Sequence, residues 1–238
     1  MNPRKGYSRL EVSQPGGKTI MNKSVLRLAQ LALAVLLICP ASSLARELKA
    51  IQLPPPQMDG GRPLMQVLKN RASSRNFSPG KLPVQVMSNM LWAAFGVNRP
   101  ESGGRTAPSA SNSQEMDIYV ATSDGLFLYD AKANLLKPIL AEDIRALTGR
   151  QPFVKEAPAT LIYVSDLAKM TRAAPADREF YAAAHTGFIG QNVYLFCASE
   201  GLATVVRASM DRPALAKAMG LRPDQKITLA QTVGYPKK

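Results

Sequence analysis

Two short stretches of this 238-residue chain concentrate side chains suited to holding a polyoxygenated anion or a flat ligand. The first is Asn70-Arg71-Ala72-Ser73-Ser74-Arg75, where two arginines flank hydroxyls. Forked cationic donors and neutral donors within a few residues match the oxygens of a phosphate. Cations at a helix end also complement the negative pole of its dipole, so this segment alone has a plain electrostatic reading too. The second stretch is Arg105–Gln114, sequence RTAPSASNSQ. Its small residues let the backbone approach a flat ligand, and Asn112 and Gln114 offer amide donors and acceptors. Alone it reads equally as a flexible polar loop.

Chemistry carried by side chains is hard to assemble elsewhere. His185 is the only histidine, so any Ser-His-Asp or Cys-His arrangement must use it. Without a partner in sequence it reads as a structural histidine with its hydrogen bonds met. There is no Walker loop and no Gly-x-Gly-x-x-Gly after a strand. The two cysteines, Cys39 and Cys197, have no second ligand nearby to make a metal site. An enzyme built from this inventory must rely on a cofactor.

The formal charge of +13 has two parts. Residues 1–45 hold six basic residues and one acidic one, leaving 24 basic and 16 acidic residues, a net of +8, in the remainder. That excess suits an anionic cofactor, an anionic substrate or a membrane surface. Nucleic acid is not expected as a partner, because the basic residues are scattered and no recognition motif is present. Leu28–Ile38 is an apolar run preceded by Lys23 and Arg27 and followed by a small-x-small end, Ser43-Leu44-Ala45. This is the pattern of a secretory signal peptide cut before Arg46, with Met21 as an alternative start. The run is too short for a stable membrane span. Ile38 before Cys39 does not fit a lipoprotein signal, which needs a small residue there. The expected product is exported, periplasmic, and has Cys197 as its sole thiol.

The elements that must position the two stretches follow from turn residues and periodicity. Residues 46–61, with Pro54-Pro55-Pro56 and Gly60-Gly61, read as an extended leader outside the core. A domain over 62–238 follows. Leu64–Arg71 is a short helix with Leu64, Val67 and Leu68 on one face. Leu82–Val97 is a helix opened by Pro83 and closed near Gly96. Residues 98–115 form a loop of a length usually found at functional or disordered sites. Ile118–Thr122 and Leu126–Tyr129, separated by Ser123-Asp124-Gly125, form a hairpin. Leu161–Val164 is a buried central strand. Arg178–Gly201 is a long helix, apolar nearly all round from Phe188 to Ala198 and therefore expected to be buried. A strand at Thr204–Val206, a helix at Arg212–Met219 and a strand at Ile227–Val233 complete the chain. Helices and strands mix without regular alternation, so the class is α+β.

In that order and separation the two stretches resemble the nitroreductase family, from about Leu64 to Pro236. The resemblance implies an α+β fold with a central, mostly antiparallel sheet flanked by helices, and a homodimer with FMN at the subunit interface. It places Arg71, Ala72, Ser73 and Arg75 on the FMN phosphate and ribityl chain, with Arg75 near the flavin N1/O2 edge, where it would stabilise the negative charge of the reduced ring. Pro108, Ser109, Ala110, Asn112 and Gln114 match a loop that reaches the flavin from the other subunit. Gly187–Gly201 looks like the family's dimer helix, and Ala208 and Ser209 would lie by the flavin ring. Many relatives have a longer basic tail that grips the phosphate; here Lys237 is the corresponding cation. Leu91–Arg99 (LWAAFGVNR) looks closest to the subgroup related to azoline-forming peptide dehydrogenases, although that subgroup's Lys-Tyr pair is not identifiable. The segment where relatives insert a lid is short. The implied activity is hydride transfer through FMN N5 to or from a small molecule or peptide. A module that keeps the fold, with or without flavin, and does no redox chemistry is the alternative.

Overall fold

The computed structural model describes residues 47–237. The expected signal segment, Cys39 and Lys238 lie outside those residues. The fold is built on the strand β7 (Ala159–Asp166), all eight of whose residues are buried. It pairs antiparallel with β4 (Met116–Thr122) on one side and β9 (Gln225–Gly234) on the other. Beyond β4 lie β5 (Gly125–Asp130), β6 (Leu135–Leu140) and the two-residue β1 (Ile51–Gln52). Beyond β9 lies β8 (Ala203–Arg207), so the seven-stranded sheet runs β1-β6-β5-β4-β7-β9-β8 with every pairing antiparallel. The Asp-Gly hairpin forms as its residues require: Thr122 pairs with Gly125, whose φ of +146° is open only to glycine.

Alternation along the central strands divides the core in two. Ile118 and Val120 of β4 enter one cluster with Leu161 and Tyr163, while Tyr119 and Ala121 enter another with Ile162 and Val164. The first cluster is covered by α2 (Val84–Phe95) and α3 (Arg178–Glu200), through Met90, Leu91 and Ala94 of the former and Ile189, Val193 and Cys197 of the latter. The second is covered by α4 (Arg212–Ala218), whose Leu215 is fully buried. Met90, Leu91, Ile189, Val193 and Leu215, all fully buried, each contribute about 1.5–3 kcal/mol by removal from water. Pro83 caps α2 as expected, and the buried face centres on Met87, Met90, Leu91 and Ala94. Gly201, at φ +70°, closes α3, its N–H bonded to the Cys197 carbonyl.

Three expectations need correction. The leader is extended, but Leu53 is buried in the main core, and β1 extends the sheet edge. The Pro54 carbonyl accepts a 2.6 Å bond from Ser88 Oγ on α2, and just past the leader the Arg62 N–H reaches Ser199 Oγ on α3, so this segment straps α2 to α3. In α1 (Leu64–Asn70) only Val67 is buried, while Leu64 and Leu68 face outward. Helix α3 is not buried all round: Phe180 is 72% and Phe188 47% exposed. The strand β6 does not show in the sequence pattern because Pro138 interrupts it. It is tolerated there because β1 pairs only with Leu135 and Leu136, leaving the outer edge at Pro138 open.

Candidate functional site

The first stretch begins where α1 stops. The Arg71 N–H bonds the Val67 carbonyl at 2.8 Å, and the chain then runs extended along the outer edge of β8. There the Ser74 N–H donates to the Thr204 carbonyl at 2.9 Å. Further on, Phe77 bridges to Pro236, and the Lys237 N–H donates to the Asn76 carbonyl at 3.2 Å. Tertiary pairing thus sets Lys237 against Asn76, the residue after Arg75, although 161 positions separate Lys237 from Asn76 in the chain. Ala72, Ser73 and Arg75 are exposed and Arg71 is half-buried. The Arg71 guanidinium lies 5.3 Å from the centroid of the Tyr194 ring, and the Tyr194 hydroxyl is 2.8 Å from Ser73 Oγ. Ala208 and Ser209 follow the end of the same strand, exposed, with the Ser209 carbonyl accepting the Arg150 N–H at 3.2 Å.

Charge decides what this strip can hold. Lys81, Lys137, Lys169, Arg145 and Arg222 each have an aspartate partner. Among the described residues, Arg71, Arg75 and Lys237 have no carboxylate within ion-pair distance. Arg71 and the Ser73 hydroxyl, both held by Tyr194, are a cation and a neutral donor suited to phosphate oxygens, and Lys237 adds a further cation on the segment paired with Asn76, so the residues present fit FMN at its phosphate end.

The second stretch is ordered by polar contacts, not flexible. A small hairpin of β2 (Val97–Arg99) and β3 (Gly104–Arg105) leads into a turn in which Ser111, Asn112 and Gln114 all have φ near +50°. Such left-handed conformations cost non-glycine residues energy and persist only where surroundings enforce them. Ser109 Oγ accepts the Gln114 N–H, and Gln114 Nε2 donates to the Gly103 carbonyl and to Asn112 Oδ1. Arg105 Nε donates to Gln114 Oε1 at 2.9 Å while its guanidinium lies over Phe95; burial lowers its pKa. The Ala110 N–H donates to His185 Nε2 at 2.9 Å, so the ring proton sits on Nδ1, which meets Glu115 Oε1 at 2.6 Å. Ser113 Oγ donates to the other carboxylate oxygen. His185 therefore has both its hydrogen bonds met, as a structural histidine should. Pro108 stands exposed at the front of the turn, with Ala107 buried behind it.

Within one chain the two stretches remain apart. One is held on α3 at Tyr194 and the other at His185, nine residues earlier, or roughly 14 Å along the axis. Exposed apolar side chains accompany them: Leu64, Met65 and Leu68 on α1, Phe180 and Phe188 on α3. A polar cleft of about 500 Å³ adjoins the turn, between Ala110–Ser113, the Lys169–Ala174 segment and Tyr181. Tyr194, Glu115 and Arg150 escape a reading of the sequence. Nothing local to Tyr194, inside an apolar helix, announces a partner 121 positions away.

An antiparallel sheet covered by a long helix, with a cationic strip at one edge and an enforced small-residue turn, defines the class of the chain as α+β. A model of the nitroreductase family matches residues 68–235, and the chain belongs to that family. A candidate nitroreductase of Methanocaldococcus jannaschii, MJ1384, is 35% identical over 153 residues, 60% of this chain and 76% of that protein. The crystal structure of a candidate nitroreductase from Ralstonia eutropha JMP134 superposes with a TM-score of 0.77 at 42% identity, covering 80% of this chain and 91% of that one. A chain of the Escherichia coli microcin synthetase McbBCD complex, at 19% identity and TM-score 0.62, shares the fold over 92% of this chain and 95% of that one. Among the described residues no helix is long and apolar enough to cross a membrane, and no cluster of metal-ligating side chains occurs.

Proposed function

We propose that the protein is an FMN-dependent oxidoreductase, active as a homodimer, that works on a small molecule or peptide outside the cytoplasm. One observation carries this reading: two stretches suited to the two ends of a flavin are each built in full, yet held about 14 Å apart on one helix whose flank is apolar and exposed. A second copy packed on that flank would bring the turn of one subunit to the cationic strip of the other, with the self-complementarity a two-fold axis requires. Family membership supports the cofactor, and the donor set at the strip suits its phosphate.

Bound FMN would supply hydride transfer through its N5. Arg71, Ser73 and Lys237 would hold the phosphate, and Arg75 would favour negative charge at the N1/O2 edge. Ala208 and Ser209 would line one side of the ring. The partner's Pro108–Gln114 turn would close the site and exclude water. No side chain need act as acid or base. Nicotinamide donors are cytosolic, so an exported enzyme fits oxidation of a peptide or small molecule, or reduction by a membrane-derived donor. The Leu91–Arg99 segment favours the azoline-related subgroup.

The test is an absorbance spectrum of protein expressed from Arg46 onward, mixed with FMN and gel-filtered. Flavin bands co-eluting near one per chain at dimer size support the reading, and bleaching by a reductant with recovery in air adds turnover. A colourless monomer would replace it with a non-catalytic module of the same fold. Mature protein found in the cytosol with rapid NAD(P)H turnover would overturn the extracellular assignment alone.

A further inference from the structure

We infer that Tyr194 is a positioning residue for the phosphate end of the flavin site, acting through Ser73 and Arg71. The inference rests on the flavin reading above. It starts from the edge of β8. The backbone ladder between the first stretch and this strand includes Ser74 N–H on the Thr204 carbonyl, but the Val206 N–H is taken by the Tyr194 hydroxyl, at 2.9 Å. A side chain from α3 thus replaces backbone at this point, and residues 71–73 are free to stand off the sheet.

The hydroxyl does two further things. Having accepted from Val206, it has its own proton to donate, and Ser73 Oγ lies 2.8 Å away. Either hydroxyl can donate at this distance; in the inferred arrangement Tyr194 donates, which leaves the Ser73 O–H to turn outward as the donor that a phosphate oxygen needs. Successive hydrogen bonds polarise one another, so the chain from Val206 N–H through Tyr194 to Ser73 sharpens that donor. Meanwhile the ring of Tyr194 lies under the Arg71 guanidinium at 5.3 Å, confining a long cation that has no carboxylate partner among the described residues. Ser73 and Arg71 are exposed or half-exposed, and this contact limits their rotamers before a ligand arrives. None of these roles involves the flavin ring.

Discrimination between FMN and riboflavin, which lacks the phosphate, reads this role directly. Affinities of the chain from Arg46 onward are measured for both by flavin fluorescence quenching, with thermal melts alongside. Tyr194→Phe is expected to weaken FMN about tenfold, the loss associated with one unsatisfied polar contact, while riboflavin changes less than about twofold. Tyr194→Leu, which also removes the ring beneath Arg71, lowers the FMN preference further. In an Arg71→Ala background the extra effect of Leu over Phe disappears, because the ring then has no cation to hold. Equal weakening of both flavins, an unchanged FMN affinity, or a full Leu effect in the Arg71→Ala background would each overturn the inference while leaving the flavin reading intact. A wild-type protein that takes up neither flavin removes that reading, and this inference with it.

Discussion

Nδ1 of His185 and Oε1 of Glu115 lie 2.6 Å apart, and both side chains are almost wholly buried. This contact ties helix α3 to the turn beside the candidate site, because His185 Nε2 also holds the Ala110 N–H. Removing the imidazole strands a buried carboxylate and a backbone donor together. His185→Ala is therefore expected to destabilise the chain by roughly 3 kcal/mol in urea unfolding. Glu115→Gln retains an acceptor for Nδ1 and is expected to cost less than about half as much. If the Ala variant unfolds at the wild-type urea concentration, the pair does not anchor the turn.

The exposed apolar flank yields a second outcome. Phe188, 47% exposed and 6.3 Å between ring centroids from His185, stands where a second copy would pack. Phe188→Glu sets a charge there and is expected to shift the protein to monomer size in sedimentation velocity, with FMN no longer retained and the far-ultraviolet spectrum unchanged. A dimer that tolerates the substitution would place the interface elsewhere.

Acid stability has an assignable component at Asp130. The hydrogen bond from Lys137, 2.6 Å away, and the N–H groups of Ala133 and Lys132 hold its carboxyl below the usual range. A lowered folded pKa means that stability is present above the ordinary aspartate value, about 3.9, and is lost as pH falls through the folded value. Asp130→Asn is thus expected to lower the thermal midpoint slightly at pH 7, the gap closing steadily below about pH 4. A gap that widens on acidification would contradict the assignment.

Burial pushes the Cys197 thiol well above its usual pKa. In protein that starts at Arg46 it is the only cysteine. It is expected to resist a thiol reagent at pH 8 in the folded state and to react fully in denaturant, since the thiolate is the reactive form. Labelling rate against urea concentration then reports opening of the α2–α3 core. Rapid labelling without denaturant would show that core to be open on the timescale of the reaction.

Much of this protein was legible in its residues. Leu161–Val164 read as a buried central strand, Asp124-Gly125 argued a hairpin, and Gly201 and Gly220 marked helix ends, because these signals arise within a few neighbouring residues. The two functional stretches were likewise visible as clusters of donors and small residues. Pairings between distant segments were not visible. The residue type of Tyr194 is compatible with any core, and only the crossing of α3 over β8 gives it Ser73, Arg71 and the Val206 amide. His185 acquires Glu115 from 70 positions away, and Lys237 meets Asn76 because the chain after β9 pairs with residues 76–78. The exposed flank of α3 departs from the expected burial for the same reason. Hydropathy records that Phe180 and Phe188 prefer to leave water, but tertiary structure decides whether the chain's own core receives them. Local sequence set which segments form helices and strands and which residues can do chemistry, since those depend on near neighbours. Which of those residues meet was decided by packing, since a contact between distant segments depends on the whole path of the chain.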